Sequence, residues 1–334
     1  MTASVSASDN VLTRIAIGSC ARTDLEQPVW DAVIDWQPQL FITLGDIVYA
    51  DTEDPAVMRS HYDRMLALPG YRRLLAGCPV VGVWDDHDYG AGDGGATYPM
   101  KEMAQEIFLD FIGEPPGSDR RESPGVQDVQ TYGPVGRQVQ IILLDTRYFR
   151  SDWTHSTTRG RRYAPDSDTS LTMLGEAQWQ WLEEALRMPA DVRVLASGVQ
   201  VVADEHGFEC WGNFPLERDR LFELIGEAGA SGLVMLTGDR HFSEVSLLDD
   251  TKAGYPMIDF TSSGLTHHAT GYAERMPNRH RAKGAFYNGL SFGSVEIDWE
   301  TGRILLTAHD VNGKVMFQYP VNLDALRVTG GGGP

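Results

Sequence analysis

The chain has 334 residues, 42% hydrophobic and 10% aromatic, enough apolar material for a sizeable core. Its 28 Lys and Arg against 47 Asp and Glu give a formal net charge of −19, which argues against nucleic acid as a bulk partner because its phosphate backbone is repelled at long range. Cys20, Cys78 and Cys210 show no CxxC spacing and cannot build a disulfide framework, and no apolar run of about 18 residues predicts a membrane span.

In chain order, residues 1–12 lack a basic region followed by an apolar one, so a flexible N-terminus and a cytoplasmic chain are expected for the sequence as given. A secreted or periplasmic origin stays open. Short apolar runs at 15–17, 40–44, 80–84, 139–144, 192–196 and 233–236 predict buried strands. Between them, helical faces are set by Trp30, Val33 and Ile34, by Met103, Ile107, Phe108 and Phe111, by Trp179, Trp181, Leu182 and Leu186, and by Leu221, Leu224 and Ile225. This alternation predicts an α/β core. Beyond residue 240, strands are expected at 242–248, 257–261, 291–299, 303–308 and 315–319, finishing the fold as an antiparallel or mixed sheet. The polar stretch 151–172, carrying Arg159, Arg161 and Arg162, reads as a long excursion whose arginines form a solvated face. No Pro- or Ser-rich linker divides the chain, so one domain is expected over 13–328, followed by a Gly-rich tail at 329–334. Nothing in the pattern specifies an oligomer.

Four polar clusters follow apolar strands: Gly18-Ser19-Cys20, Gly45-Asp46-Ile47-Val48-Tyr49, Trp84-Asp85-Asp86-His87-Asp88-Tyr89-Gly90 and Thr237-Gly238-Asp239-Arg240-His241. Ligands of open α/β sheets bind beyond the carboxyl ends of strands, so the clusters point to one convergent site. Carboxylate, imidazole, thiolate and phenolate together suit hard or borderline cations. Asp239 and His241, two apart on an extended chain, share a face, and Gly45 and Gly238 permit tight strand-to-loop turns. Cys78 and Cys210 read as structural, as do Trp179 and Trp181.

These clusters in this order, with LDTRYFR at 144–150, resemble the calcineurin-like metallophosphoesterases and, within them, the alkaline phosphatase D (PhoD-like) family; the resemblance covers roughly residues 14–310. It implies a four-layer α/β/β/α sandwich with a dinuclear site. Cys20, Asp46, Tyr49 and His241 would hold one cation, ferric iron in this family, with Asp46 bridging. Asp86 and Asp239 would hold the second site, calcium in this family; other divalent metals are alternatives. His87 matches the general acid. Phosphomonoester or phosphodiester hydrolysis by a metal-bound hydroxide follows, with a small phosphorylated substrate. About five negative charges from three carboxylates, a thiolate and a phenolate balance one trivalent and one divalent ion.

Other residues carry open alternatives. Arg147 and Arg150 are expected to bind substrate phosphate, or else to pair with acidic groups and hold loops. Asp88 either orients His87 or caps a strand end; Asp85 is expected to bond backbone or water. His267 and His268 either line the pocket or are ordinary loop histidines. Two departures from the family stand out: Gly92 precedes Asp93 where many relatives carry Asn-Asp, and Trp211-Gly212-Asn213-Phe214-Pro215 replaces a Trp-Asp-Gly-Tyr-Pro stretch. They bear on contacts to the second metal or substrate and on substrate specificity. The competing class is a non-catalytic metal- or phosphate-binding module. A serine hydrolase is disfavoured, since no G-x-S-x-G elbow occurs.

Overall fold

A computed structural model describes residues 6–328; the expected Gly-rich tail and residues 1–5 lie outside the described residues. In chain order, β1 (Ser6–Ser8) and β2 (Arg14–Gly18) lead to α1 (Val29–Asp35), β3 (Leu40–Leu44), α2 (Pro55–Ala67), α3 (Pro69–Gly77) and β4 (Val80–Val83). A single turn, α4 (Asp86–Tyr89), precedes α5 (Lys101–Phe111), α6 (Asp119–Glu122), β5 (Asp128–Tyr132) and β6 (Val139–Leu143). Then come α7 (Gly175–Arg187), β7 (Val192–Ser197), α8 (Pro215–Glu227) and β8 (Leu233–Thr237). Six strands close the chain: β9 (Ser243–Leu248), β10 (Met257–Ser262), β11 (Arg281–Tyr287), β12 (Ser291–Asp298), β13 (Arg303–Asp310) and β14 (Val315–Asn322).

The strands form two sheets, ordered β1-β5-β6-β7-β8-β10-β9-β11 and β14-β13-β12-β2-β3-β4. Within the first, β6, β7, β8 and β10 run parallel; within the second, β2, β3 and β4 do. Alternation along single strands shows how the layers stack. Ile15 and Ile17, and Leu40, Ile42 and Leu44, join the core between the sheets, while Ala16 and Phe41 face the opposite way, against residues of α1, α2, α3 and α5. The inter-sheet core continues through the larger sheet to Trp179, Leu182, Leu221 and Phe222 of α7 and α8. Four layers, α/β/β/α, result, and continuous apolar runs such as Leu40–Leu44 are what a strand buried on both faces requires.

The structure corrects the expected C-terminal sheet. Strands beyond residue 240 do not form a layer of their own: β9, β10 and β11 extend the larger sheet, whereas β12, β13 and β14 extend the smaller one beside β2. Pairing of β12 with β2 joins residues nearly 280 apart, Gly293 to Ile17, which local pattern does not encode. Ser6–Ser8, in the expected flexible terminus, runs parallel to β5. Helices α2 and α3 carry only a sparse apolar stripe, Met58, Tyr62 and Met65 in α2, and so escape periodicity. Their starts are nonetheless written locally. Pro55 and Pro69 occupy first-turn positions, and the Asp54 carboxylate accepts from Ala56 N at 2.8 Å, a cap of about 1 kcal/mol. No helix among the described residues is long and apolar enough to cross a membrane.

Candidate metal centre

Loops leaving the carboxyl ends of β2, β3, β4, β8 and β10 meet at one end of the sandwich. Their backbone is unusual. Among the described residues eight non-glycine positions have positive φ, and Cys20, Asp46, Asp51, Asp93, Asp239 and His241 are six of them. Such conformations cost roughly 1–3 kcal/mol each and persist where surrounding packing enforces them. Gly45 (φ 89°) is one device: a Cβ there would lie 2.4 Å from Cβ of Asp85. At Gly238 a Cβ would lie 2.5 Å from the Leu44 carbonyl oxygen, so both glycines let neighbouring loops touch.

The side chains gather into overlapping groups. Ligand atoms of Cys20, Asp46 and His241 lie within 4.8 Å of one another, as do those of Asp46, Asp86 and His87. Asp46 belongs to both. Its Oδ2 lies 3.5 Å from Cys20 Sγ and 3.3 Å from Tyr49 Oη, while Oδ1 accepts from His87 N at 3.2 Å. Tyr49 Oη is 3.4 Å from His241 Nε2. A third group, Asp86, Asp93 and Glu209, continues the chain through Asp86. Asp239 stands at the same site but turns its carboxylate to Arg240, 2.8 Å away.

The donor chemistry fits cations. Burial pushes the Cys20 thiol up to about 12, despite hydrogen bonds with Ser263 and Tyr49. Burial, then the Asp86 and Cys20 charges, holds the Asp46 carboxyl well above the usual carboxylate range, and burial raises the Tyr49 phenol likewise. A buried set of thiol, phenol and carboxyls ionises only when positive charge offsets it, which a bound cation supplies. His241, lowered to about 4 by burial and by His267, is kept as the neutral imidazole that ligates metal.

His87, second residue of α4, stacks on Tyr49, ring centroids 4.1 Å apart. Its Nδ1 lies 2.8 Å from both oxygens of Asp51. Burial opposes its charge, but the Asp51 hydrogen bond and the Asp86, Asp51 and Asp239 carboxylates raise it to about 9. Asp51 was not among the expected site residues; it closes the loop after β3 in a positive-φ conformation that no local sequence pattern announces. Asp88 takes the capping alternative, accepting from Ile47 N at 3.1 Å and from Asp85 N, and does not touch the His87 ring.

Partners distant in the chain decide three further residues. Asp85, besides capping the α4 backbone, pairs with a side chain: its Oδ1 accepts from Arg147 Nε at 2.8 Å and Nη2 at 2.6 Å. Arg147 takes the acidic-pairing alternative rather than facing a substrate. It is fully buried, with Nη1 donating to Glu209 at 2.6 Å, so its guanidinium is committed to two carboxylates. Arg150 is equally buried; it donates to the carbonyls of Ser151 and Asp93, both at 2.6 Å, and covers Trp153. Both arginines hold loops. The stretch 151–172 returns to the site: Arg162 meets Asp93 at 2.6 Å, and Tyr163 donates to the same carboxylate. Arg162 and Arg22 stay 56% and 44% exposed, Arg22 lying over the Tyr49 ring. His267 takes the pocket alternative, its Nε2 3.1 Å from Tyr49 Oη, whereas His268 contacts Asn288. Cys78 and Cys210 are buried, unpaired and outside these groups.

Two facing sheets clad by helices on both outer sides, with side chains able to hold metal at their strand ends, define the metallophosphoesterase fold. The fold is similar to that of PhoD (TM-score 0.74, 19% identity, covering 97% of this chain and 73% of that one). It is also similar to GAP50, the anchor in the inner membrane complex of Plasmodium (TM-score 0.58, 12% identity, 93% and 89% covered), and to a dimetal phosphatase from Danio rerio (TM-score 0.50, 15%, 94% and 100%). The sequence profile of the PhoD-like phosphatase family matches residues 15–307, and the chain belongs to that family. It is 25% identical over 280 residues to alkaline phosphatase D of Bacillus subtilis (strain 168), covering 76% of this chain and 48% of that protein, so it spans about half the length of this relative.

Proposed function

We propose that the chain hydrolyses phosphate esters, as a phosphomonoesterase, a phosphodiesterase or both, at a dinuclear metal centre. The observation that carries this reading is the position of Asp46, shared by the Cys20–Asp46–His241 and Asp46–Asp86–His87 groups. Cys20, Asp46, Tyr49 and His241 are suited to a trivalent cation such as ferric iron, and Asp46, Asp86 and Asp239 to calcium or another divalent ion. When bound, two such cations acidify a water and clamp the attacking and leaving oxygens of an in-line displacement. His87 donates a proton to the departing oxygen; Asp51 fixes its ring and keeps it charged. Arg22 and Arg162, largely exposed beside the site in ion pairs with Asp24 and Asp93, are assigned the phosphate contact, which requires them to exchange those carboxylates for the substrate.

The test is hydrolysis of a chromogenic phosphate monoester and diester. Activity should disappear on chelation and return with iron and calcium. An inactive but metal-loaded protein would leave the binding-module reading standing instead. The acid assignment makes a pH prediction. The Asp51 hydrogen bond raises His87 against burial, so turnover should show an alkaline limb where the ring loses its proton. Asp51→Asn removes the partner that raises it, and the alkaline limb should move to lower pH by about one unit. A limb that stays in place in pH–kcat profiles would show that Asp51 does not hold the proton.

A further inference from the structure

Resting on the hydrolase reading above, we propose that Phe208 and Tyr272 form an aromatic shelf beside the metal centre, and that the substrates are phosphate esters whose alcohol carries a planar aromatic ring. Three loops that supply the centre also supply the shelf. The loop between β7 and α8 places Glu209 with Asp86 and Asp93 and carries Phe208 next to it. The loop between β8 and β9 holds Arg240 between Asp239 and His241. The loop after β10 brings His267 to Tyr49 and runs on to Tyr272. Contacts among these side chains run outward in one file. Arg240 meets the Asp239 carboxylate at 2.8 Å, and its guanidinium carbon lies 4.5 Å from the centre of the Phe208 ring. The Phe208 and Tyr272 rings are 6.4 Å apart with 31° between their planes. The file starts at a candidate metal ligand and ends at the surface, where Tyr272 is 42% exposed.

Phe208 is a fixed platform. Its backbone N–H donates to His206 Nδ1 at 3.1 Å, the His206 ring stacks on it with centroids 6.2 Å apart, and it packs against the small apolar cluster around Phe242. A surface ordered before binding spares a ligand that cost. Tyr272 has no such anchoring in the core. Of the large apolar side chains exposed among the described residues it is the single aromatic one, the others being Leu and Val. Exposed rings pair with flat partners in offset or tilted stacks, which are worth more than the area they cover, so the fitting occupant is a ring rather than an alkyl chain. A second copy of the chain is disfavoured: a net charge of −19 repels it, and two rings offer far less than the roughly 1,000 Å² that a stable interface buries.

Phenethyl phosphate and cyclohexylethyl phosphate, each as monoester and as methyl diester, test this with the metal-loaded full chain and phosphate or alcohol release as readout. Their leaving alcohols differ in flatness rather than in acidity, so the chemical step is held constant. The native chain should show a KM about 2–10-fold lower for the phenethyl ester. Tyr272→Ala should raise that KM about 5–100-fold, the usual loss on removing a stacking ring, and bring the two KM values together; Tyr272→Phe should keep them apart. A native chain that does not distinguish the esters, or a Tyr272→Ala variant that still does, overturns the shelf while leaving the hydrolase standing. Should none of the esters be hydrolysed, the hydrolase reading falls, and equilibrium dialysis of the same two monoesters decides the shelf alone. Tighter binding of the phenethyl ester by the native chain and not by Tyr272→Ala upholds it; equal binding rejects it.

Discussion

Replacing His87 with alanine should lower kcat for phosphate-ester hydrolysis by about 10²–10⁴-fold, the usual contribution of a positioned general acid, with metal content unchanged. The ring is placed by three independent contacts: its backbone N–H on Asp46, its Nδ1 on Asp51 and its face on Tyr49. Only Nε2 is left toward the site, 4.0 Å from the Asp86 carboxylate. The loss should depend on the leaving group. A nitrophenolate departs with little proton assistance, whereas an alkoxide needs it, so an alkyl phosphate should suffer the larger drop. Steady-state kinetics on both ester types decide the point; equal losses would indicate that His87 orients substrate without giving a proton.

Arg147→Met should destabilise the fold by about 3–5 kcal/mol, the cost of leaving buried charge without its partner. Asp85 and Glu209 both rely on this guanidinium, and none of the three side chains is more than 4% exposed. Burial and then the Arg147 charge act on both carboxyls: Glu209 is held down to about 2, while burial keeps Asp85 well above its ordinary range. Urea unfolding of native and variant proteins under chelation reads the change without metal linkage. Adding Asp85→Asn and Glu209→Gln to the variant should recover part of the loss, because the orphaned charges are gone. A variant as stable as the native chain but with a raised KM would return Arg147 to the substrate.

Much of this site was legible because its residues sit immediately after apolar strands, where the chain must turn and polar groups meet solvent or ligand. Cys20, Asp46, Asp86, Asp239 and His241 could each be named from that punctuation, and the structure brings all five to one end of the sandwich. What escaped depended on distance in the chain. Glu209 reaches Arg147 across 62 residues from a loop with no motif of its own, so the reading that gave Arg147 to substrate had no sight of its partner. The buried pair of Asp85 and Arg147 likewise spans 62 residues. His267 was balanced between pocket and loop until its contacts with Tyr49 and His241, both distant in the chain, placed it. The sheets tell the same story: apolar runs marked most strands, but which sheet took β12 was set by its pairing with β2 at the other end of the chain.

Elemental analysis of the Asp46→Asn variant is the most direct test of the central claim, that one carboxylate joins two cation sites. Its two oxygens face different groups, Oδ2 toward Cys20 and Tyr49 and Oδ1 toward His87. The native chain loaded with iron and calcium should retain both, and the variant should lose both together along with turnover. A variant that keeps its iron and calcium and still hydrolyses phosphate esters would contradict the account.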